Sequence, residues 1–225
     1  VLPQLSKHVH QKKKKKISLI QNKALELSMF LSIPASVALV IGSEQIISAL
    51  FGYGSFVENS VLNSSNALYY FSLGLPAFAL IKVFSTFFFA NHDTKTPFYI
   101  SLVSVLLNIL ISVYFFKDIG FIIIPIATTI SSWFNSLTLF ICLKNDNLFE
   151  FSKTFFKQFV KIIFASIMMG IFFQYLILLF ENQLSYAYFL KSAYLLLCVL
   201  FTIIFYFGLS YFIKAFNYQD IKLKY

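Results

Sequence analysis

Lys82 stands where an ionised group is hardest to host, inside LGLPAFALIKVFSTFFFANHDTKTPF at residues 73–98, a run otherwise suited to hydrocarbon. A lysine at the centre of a membrane helix costs about 2.5–3.5 kcal/mol on insertion scales. Two arrangements make that tolerable. Either the ammonium faces a wet cavity or an anionic partner, or it reaches up to the headgroups or a helix carbonyl. The first would let it bind an anion crossing the membrane; the second would be structural. A second concentration of polar groups, Thr128, Ser131, Ser132, Asn135 and Thr138, crowds the middle of another apolar run, with Ser131 and Asn135 one helical turn apart. Hydroxyls and amides in such a place either line a wet path or hydrogen-bond across a helix contact, and the second is the commoner outcome. Asn108 adds an amide in hydrocarbon that a neighbouring helix is expected to satisfy, and Glu44 sits near the outer end of its segment.

Groups able to make or break bonds are not arranged for it. His8 and His10 flank a lysine run, and His92 precedes Asp93 in a polar stretch that reads as a turn or cap more readily than as an acid–base dyad. There is no His–Glu pair on one helix face, no nucleophile elbow and no glycine-rich phosphate loop. Cys142 and Cys198 both fall in apolar runs without metal-ligand spacing and read as small hydrophobes. We therefore expect no catalytic residue, no metal site and no cofactor.

The elements that hold these residues follow from composition. The 225 residues are 59% hydrophobic and 12% charged, about half the charged share of a soluble domain. Six apolar segments, about 24–50, 67–90, 97–116, 119–143, 159–180 and 187–213, are each long enough to cross roughly 30 Å of hydrocarbon. In lipid every backbone N–H and C=O must be satisfied internally, and the ten-residue alternation of a membrane barrel is missing, which leaves an all-α bundle of six spans. Thr96 followed by Pro97 predicts an N-cap and first helical residue for the third span. The glycines of GYGSF at 52–56 and of KDIG at 117–120 predict tight turns. Pro34, Pro76 and Pro125 lie inside predicted spans, where they free carbonyls and favour kinks. The chain starts at Val1, and no charged, apolar and small-residue cleavage pattern precedes its first apolar run, so we expect no signal peptide and a fragment of a longer protein.

All 18 basic residues are lysine, a bias without functional weight, but their placement orients the bundle. With a cytoplasmic N-terminus, fifteen lie on the inner side, only Lys117 and Lys191 lie outside, and Lys82 is within the membrane. Both ends are then cytoplasmic. The KKKKK run at 12–16 belongs to a cytoplasmic basic segment, residues 1–23, that meets an anionic inner leaflet at about 1 kcal/mol per lysine rather than nucleic acid. Residues 144–158 form a cytoplasmic or interfacial linker. Lys153, Lys157 and Lys161, the first two within it, share one helical face, predicting an interfacial helix leading into the fifth span.

The ordered motifs resemble a known family. Gly74–Pro97, GLPAFALIKVFSTFFFANHDTKTP, is similar to the signature of the bacterial lipid II flippases, the MurJ or MviN family, and LPQLSK at 2–7, LFGYGSF at 50–56, Asn108 and SSWFNSL at 131–137 match in register over the first two thirds of the chain. Thr86 stands where the pattern has proline and Asn91 where it often has arginine. The resemblance implies the C-terminal part of a fourteen-helix fold related to the multidrug and polysaccharide exporters. Segments within 24–143 would complete its second lobe, and residues 159–225 would supply two added helices and a cytoplasmic tail. It implies movement of lipid II, an undecaprenyl-diphosphate-linked precursor, between leaflets of the bacterial cytoplasmic membrane by alternating access, in concert with an N-terminal half not contained in this chain. It makes Lys82, Asn135 and Ser131 candidate substrate-binding residues and Asp93, Thr94, Thr96 and Pro97 a structural or gating motif. A polysaccharide or drug exporter of the same superfamily and a structural subunit of a membrane complex are the other readings.

Overall fold

The computed structural model describes Leu5 and residues 14–215, and among these all regular structure is helical. In chain order the helices are α1 (Lys14–Ile41), α2 (Ser43–Phe51), α3 (Glu58–Ala90), α4 (Lys95–Ile119), a 3-10 turn (Gly120–Ile122), α5 (Ile123–Asn145), α6 (Lys153–Leu179), the short α7 (Glu181–Leu184) and α8 (Lys191–Phe212). Among the described residues five runs are long and apolar enough to cross a membrane, and one of them, Lys95–Asn145, is the α4–α5 pair. The motif at 2–7 apart from Leu5, the first two lysines of the basic run and the tail beyond residue 215 lie outside the described residues.

The α4–α5 pair is an antiparallel hairpin. Asn108 meets Thr128 and Asn135 meets Ser101, so that advancing along α4 means retreating equally along α5. Gly120 turns the chain with φ +75°, a left-handed conformation that suits a residue without a Cβ. The predicted turn at 117–120 is thus shorter than expected, because Lys117–Ile119 stay helical. Pro125 is the third residue of α5 rather than an interior kink; its missing N–H is one of the four that a helix start leaves unpaired anyway.

The predicted first span also divides differently. α1 begins at Lys14, within the basic run, and closes at Ile41, while α2 takes up Ser43–Phe51. At Gly42 a Cβ would lie 2.6 Å from the Phe173 ring of α6, so the break is a point of close approach that a side chain would block. The interfacial helix and the fifth span run together as α6.

The chain divides into two compact units, one holding residues up to Ser32 with Gly74–Phe159, the other Ile33–Leu73 with residues from Val160 onward. The first is built on a phenylalanine-rich core in which Phe84, Phe87, Phe149 and Phe155 join Leu25, Ile100, Leu139 and Leu143. Phe87 stacks on Phe149 at 5.7 Å, and Phe155 on Phe151 at 5.1 Å. In the second unit Phe173, Leu176 and Ile177 of α6 meet Ala49 of α2 and Leu195 and Cys198 of α8. There Ser36 of α1 donates its hydroxyl to Ser72 O of α3 at 2.6 Å. Phe172 of α6 stacks on Phe205 of α8 at 4.4 Å. Large apolar side chains such as Val113, Phe164, Ile204 and Phe212 stand exposed, as expected where hydrocarbon is the solvent.

Among the described residues three helices end on a residue in the left-handed region that is not glycine: His92 after α3, Asn147 after α5 and Lys214 after α8. In each, that residue and the next turn their N–H groups back onto carbonyls of the last turn, as in His92 N to Phe89 O and Asp93 N to Phe88 O, both at 3.1 Å.

Candidate functional site

Lys82 lies eight residues before the end of α3 at Ala90, which at about 1.5 Å per residue places its Cα roughly 12 Å from that end. Its side chain is exposed and shares a stripe with the exposed rings of Phe78 and Phe89. The opposite face of the same turn is packed, with Phe84, Phe87 and Phe88 in the core. Its carbonyl accepts a hydrogen bond from the Thr86 hydroxyl at 2.8 Å. That bond occupies the carbonyl which a proline at position 86 would leave without its helical N–H partner. The ammonium is thus presented outward on a helix turn reinforced at its own backbone.

Ser131 and Asn135 are buried on the α5 face turned toward α4. Asn108 Nδ2 donates to Thr128 Oγ1 at 3.0 Å and more weakly to Ser131 Oγ at 3.4 Å. Asn135 Nδ2 reaches Ser101 Oγ at 3.4 Å. Ser131 and Ser132 both donate to Thr128 O. Among the described residues no hydrogen bond joins Lys82 to Ser131 or Asn135, and the two clusters are separate features. The ladder holds the hairpin together, each amide satisfying groups that would otherwise face hydrocarbon unpaired. Two groups on the hairpin keep spare capacity: Asn135 Oδ1 and Ser112 Oγ are buried without a partner among the described residues.

The corner between α3 and α4 corrects the expected cap. α4 starts at Lys95, and Thr94 before it makes no side-chain cap bond. Asp93 does the capping: its Oδ1 accepts from Lys95 N and Thr96 N, both at 3.0 Å. Thr96 therefore supports the cap instead of being it, and Pro97 is the third helical residue, buried, where its absent N–H is again not missed. A carboxylate spans two donors that a hydroxyl one position before the proline cannot reach together, and its charge favours the helix N-terminus. The Thr96 hydroxyl first, then the Thr96 and Lys95 N–H groups and the Lys95 charge, hold Asp93 below its ordinary 3.8 against a smaller opposing effect of desolvation. On the other side of the corner, Asn91 Nδ2 donates to Phe87 O at 2.8 Å. The motif thus links the end of α3 to the start of α4 through hydrogen bonds on both sides of the corner.

Two buried polar features went unread in the sequence. Gln21 Nε2 donates to Leu148 O at 2.9 Å. Next to it, Asn22 donates to Glu150 O at 2.9 Å and accepts from Ser152 N at 2.9 Å. Ser152 Oγ in turn caps α6 by accepting from Phe155 N at 3.0 Å. Two adjacent amides on α1 thus fix the connection from α5 to α6. The second feature is Lys191, counted among the outer lysines but only 1% exposed. The partners named for the two amides, and Gly52 and Tyr53 beside Lys191, lie more than a hundred residues away in sequence, so no local pattern signals them.

A family model described as lipid II flippase MurJ matches residues 1–197, reaching past the first two thirds of the chain into α8. The probable lipid II flippase MurJ of Rickettsia prowazekii (strain Madrid E) is 29% identical over 227 residues, 98% of this chain and 44% of that protein. The corresponding protein of Buchnera aphidicola subsp. Baizongia pistaciae is 34% identical over 183 residues, 81% of this chain and 34% of its own. A solved lipid II flippase MurJ in an inward closed conformation superposes with a TM-score of 0.72 at 27% identity, covering 96% of this chain and 42% of that one. The chain spans less than half the length of these relatives. With the all-helical bundle and the ordered motifs, these matches establish that the chain belongs to the lipid II flippase MurJ family and is a multi-pass inner-membrane protein.

Proposed function

We propose that the chain forms the C-terminal part of a lipid II flippase, carrying the lipid-linked peptidoglycan precursor from the inner to the outer leaflet by alternating access. The observation that carries this reading is the match of the family model over most of the chain, joined to a fold that superposes on a solved member. The relatives named above are described as lipid II flippases, the two curated ones as probable, which disfavours a polysaccharide or drug exporter and a purely structural subunit. No bond is made or broken in such a step; this is transport rather than catalysis. The remaining lobe would come from sequence preceding this chain, with α1 to α5 completing the second lobe and α6 and α8 as the added pair. The lysine asymmetry supports cytoplasmic ends for the chain, with the inner-side lysines against anionic lipid.

Within that reading Lys82 is the cation offered to the travelling diphosphate. Its outward presentation, away from the phenylalanine core, is what a cavity-facing residue needs. Asn135 and Ser131 take the lesser role of hairpin ladder, with Asn135 Oδ1 as the group still able to accept a hydrogen bond. Asp93, Thr94, Thr96 and Pro97 act as the joint that transmits movement between α3 and α4. The test is complementation of a flippase-depleted bacterium by the complete protein carrying Lys82→Met or Lys82→Arg. Growth should fail with methionine at normal protein level and survive with arginine; full growth with methionine would refute the cationic role.

A further inference from the structure

Lys191 opens α8, yet its side chain does not run into solvent. Nζ donates to Gly52 O at 2.6 Å and to Tyr186 O at 2.7 Å. It lies 4.4 Å from the centroid of the Tyr53 ring and 4.5 Å from that of Tyr186. A buried ammonium persists only where its donors and its charge are both met. Here two carbonyl oxygens take donors, and two ring faces meet the positive charge with their negative quadrupoles. Gly52 follows the last residue of α2, so its carbonyl belongs to the negative end of that helix, where a cation is favoured. A Cβ at Gly52 would sit 3.1 Å from Nζ and 2.6 Å from Ser48 O, so the backbone approach depends on glycine. The Tyr186 hydroxyl reaches back across the same gap to Phe56 O at 2.8 Å. The two carbonyls and two ring faces that meet the ammonium are all neutral, the composition of a site selective for a primary ammonium: quaternary amines lack the N–H donors, and alcohols lack the charge.

We propose that the carbonyls of Gly52 and Tyr186 with the rings of Tyr53 and Tyr186 form a primary-ammonium site whose resident ligand is the chain's own Lys191. Occupation of this site joins the α2–α3 connection, residues 52–57, to the α7–α8 connection, residues 185–190. Lys191 is a positioning residue: it ties the start of α8 to the end of α2, beside the packing of Ala49 against Leu195 and Cys198. Tethering replaces a diffusible ligand with one present at high effective concentration.

The test is hydrogen–deuterium exchange of the intact protein in detergent, read on peptides covering 52–57 and 185–190. Lys191→Ala should speed exchange in both by roughly tenfold or more, reflecting loss of a local lock. Adding n-propylammonium chloride, which supplies the three carbons and the nitrogen that alanine lacks, should restore protection, whereas n-propanol, with the chain but no charge, and tetramethylammonium, with the charge but no N–H, should not. Unchanged exchange in Lys191→Ala, restoration by propanol as well, or failure of propylammonium would each overturn the proposal. Should Lys191→Ala fail to fold, the Tyr53 pair decides with Lys191 in place. Tyr53→Phe keeps the ring face and should leave both peptides protected; Tyr53→Leu removes it and should speed exchange several-fold. Equal behaviour of the two would overturn the proposal.

Discussion

Replacing Asn22 by leucine, close to it in shape, should release the α5–α6 connection while leaving the surrounding helices intact. Leucine orphans two backbone groups at once: Ser152 N, which donates to Asn22 Oδ1, and Glu150 O, which accepts from Nδ2. A buried polar group left unpaired costs about 1–3 kcal/mol. Glu150 is exposed and Ser152 half-buried, so water can partly re-satisfy both, and the lower end applies, about 1–1.5 kcal/mol each. The sum, about 2–3 kcal/mol, corresponds to roughly 30- to 150-fold faster local opening. Hydrogen exchange on a peptide covering 146–156 reads it directly, with the α4–α5 hairpin as internal reference. Asn22→Asp keeps an acceptor for Ser152 N but loses the donor to Glu150 O, and should fall between wild type and leucine. A change below about threefold in the leucine variant of a folded protein would refute the idea that these amides fix the connection.

Two further outcomes follow from the corner and the helix contacts. Asp93→Ala should lower stability by about 0.5–1 kcal/mol, the low end for a cap because the site is solvent-accessible. Its pH dependence has a definite sign: the folded carboxyl is held below 3.8, so the cap's contribution is complete above that value and is lost as pH falls through the lower folded value. Melting midpoints in detergent should therefore converge between wild type and Asp93→Ala on acidification, and a constant gap down to about pH 2 would count against the cap. Gly170→Ala places a Cβ 2.7 Å from Val37 Cγ1 and 2.9 Å from Ile41 Cδ1, which should cost about 1–3 kcal/mol through overpacking. Adding Val37→Ala should recover part of that loss; simple additivity in the melting data would show that the contact is not the cause.

The spans were legible because lipid leaves the backbone few options: once the apolar runs were long enough, helices followed, and the α4–α5 hairpin came with the glycine between them. Boundaries were less so. Hydropathy starts α1 at its first apolar residues, but lysines are good helix formers and the helix continues back to Lys14. Hydropathy also runs through Gly42, where α1 gives way to α2 against a ring on α6 that no local pattern shows. The corner's location was readable and its chemistry was not: Thr96–Pro97 has the composition of a cap, yet Asp93 reaches both N–H groups from two residues before the helix. Asn108 was expected to find a neighbour and does, on α5. Lys191 shows the limit most clearly. Counting charges by side placed it outside and named no partner for it, but its surroundings come from residues 52, 53 and 186, and only the fold brings those together.

The non-glycine residues that close α3, α5 and α8 set the tolerance of this sequence to drift. His92 is exposed, and Asn147 and Lys214 lie beside helix ends, sites at which surface position alone would predict free exchange. Their φ values of 62°, 54° and 51° say otherwise. Valine, isoleucine and threonine, with two heavy atoms on Cβ, are the least able to adopt that backbone, while glycine and asparagine enter it readily. A saturation scan of viability should therefore show three narrow columns of intolerance to β-branched residues at these positions, flanked by permissive neighbours.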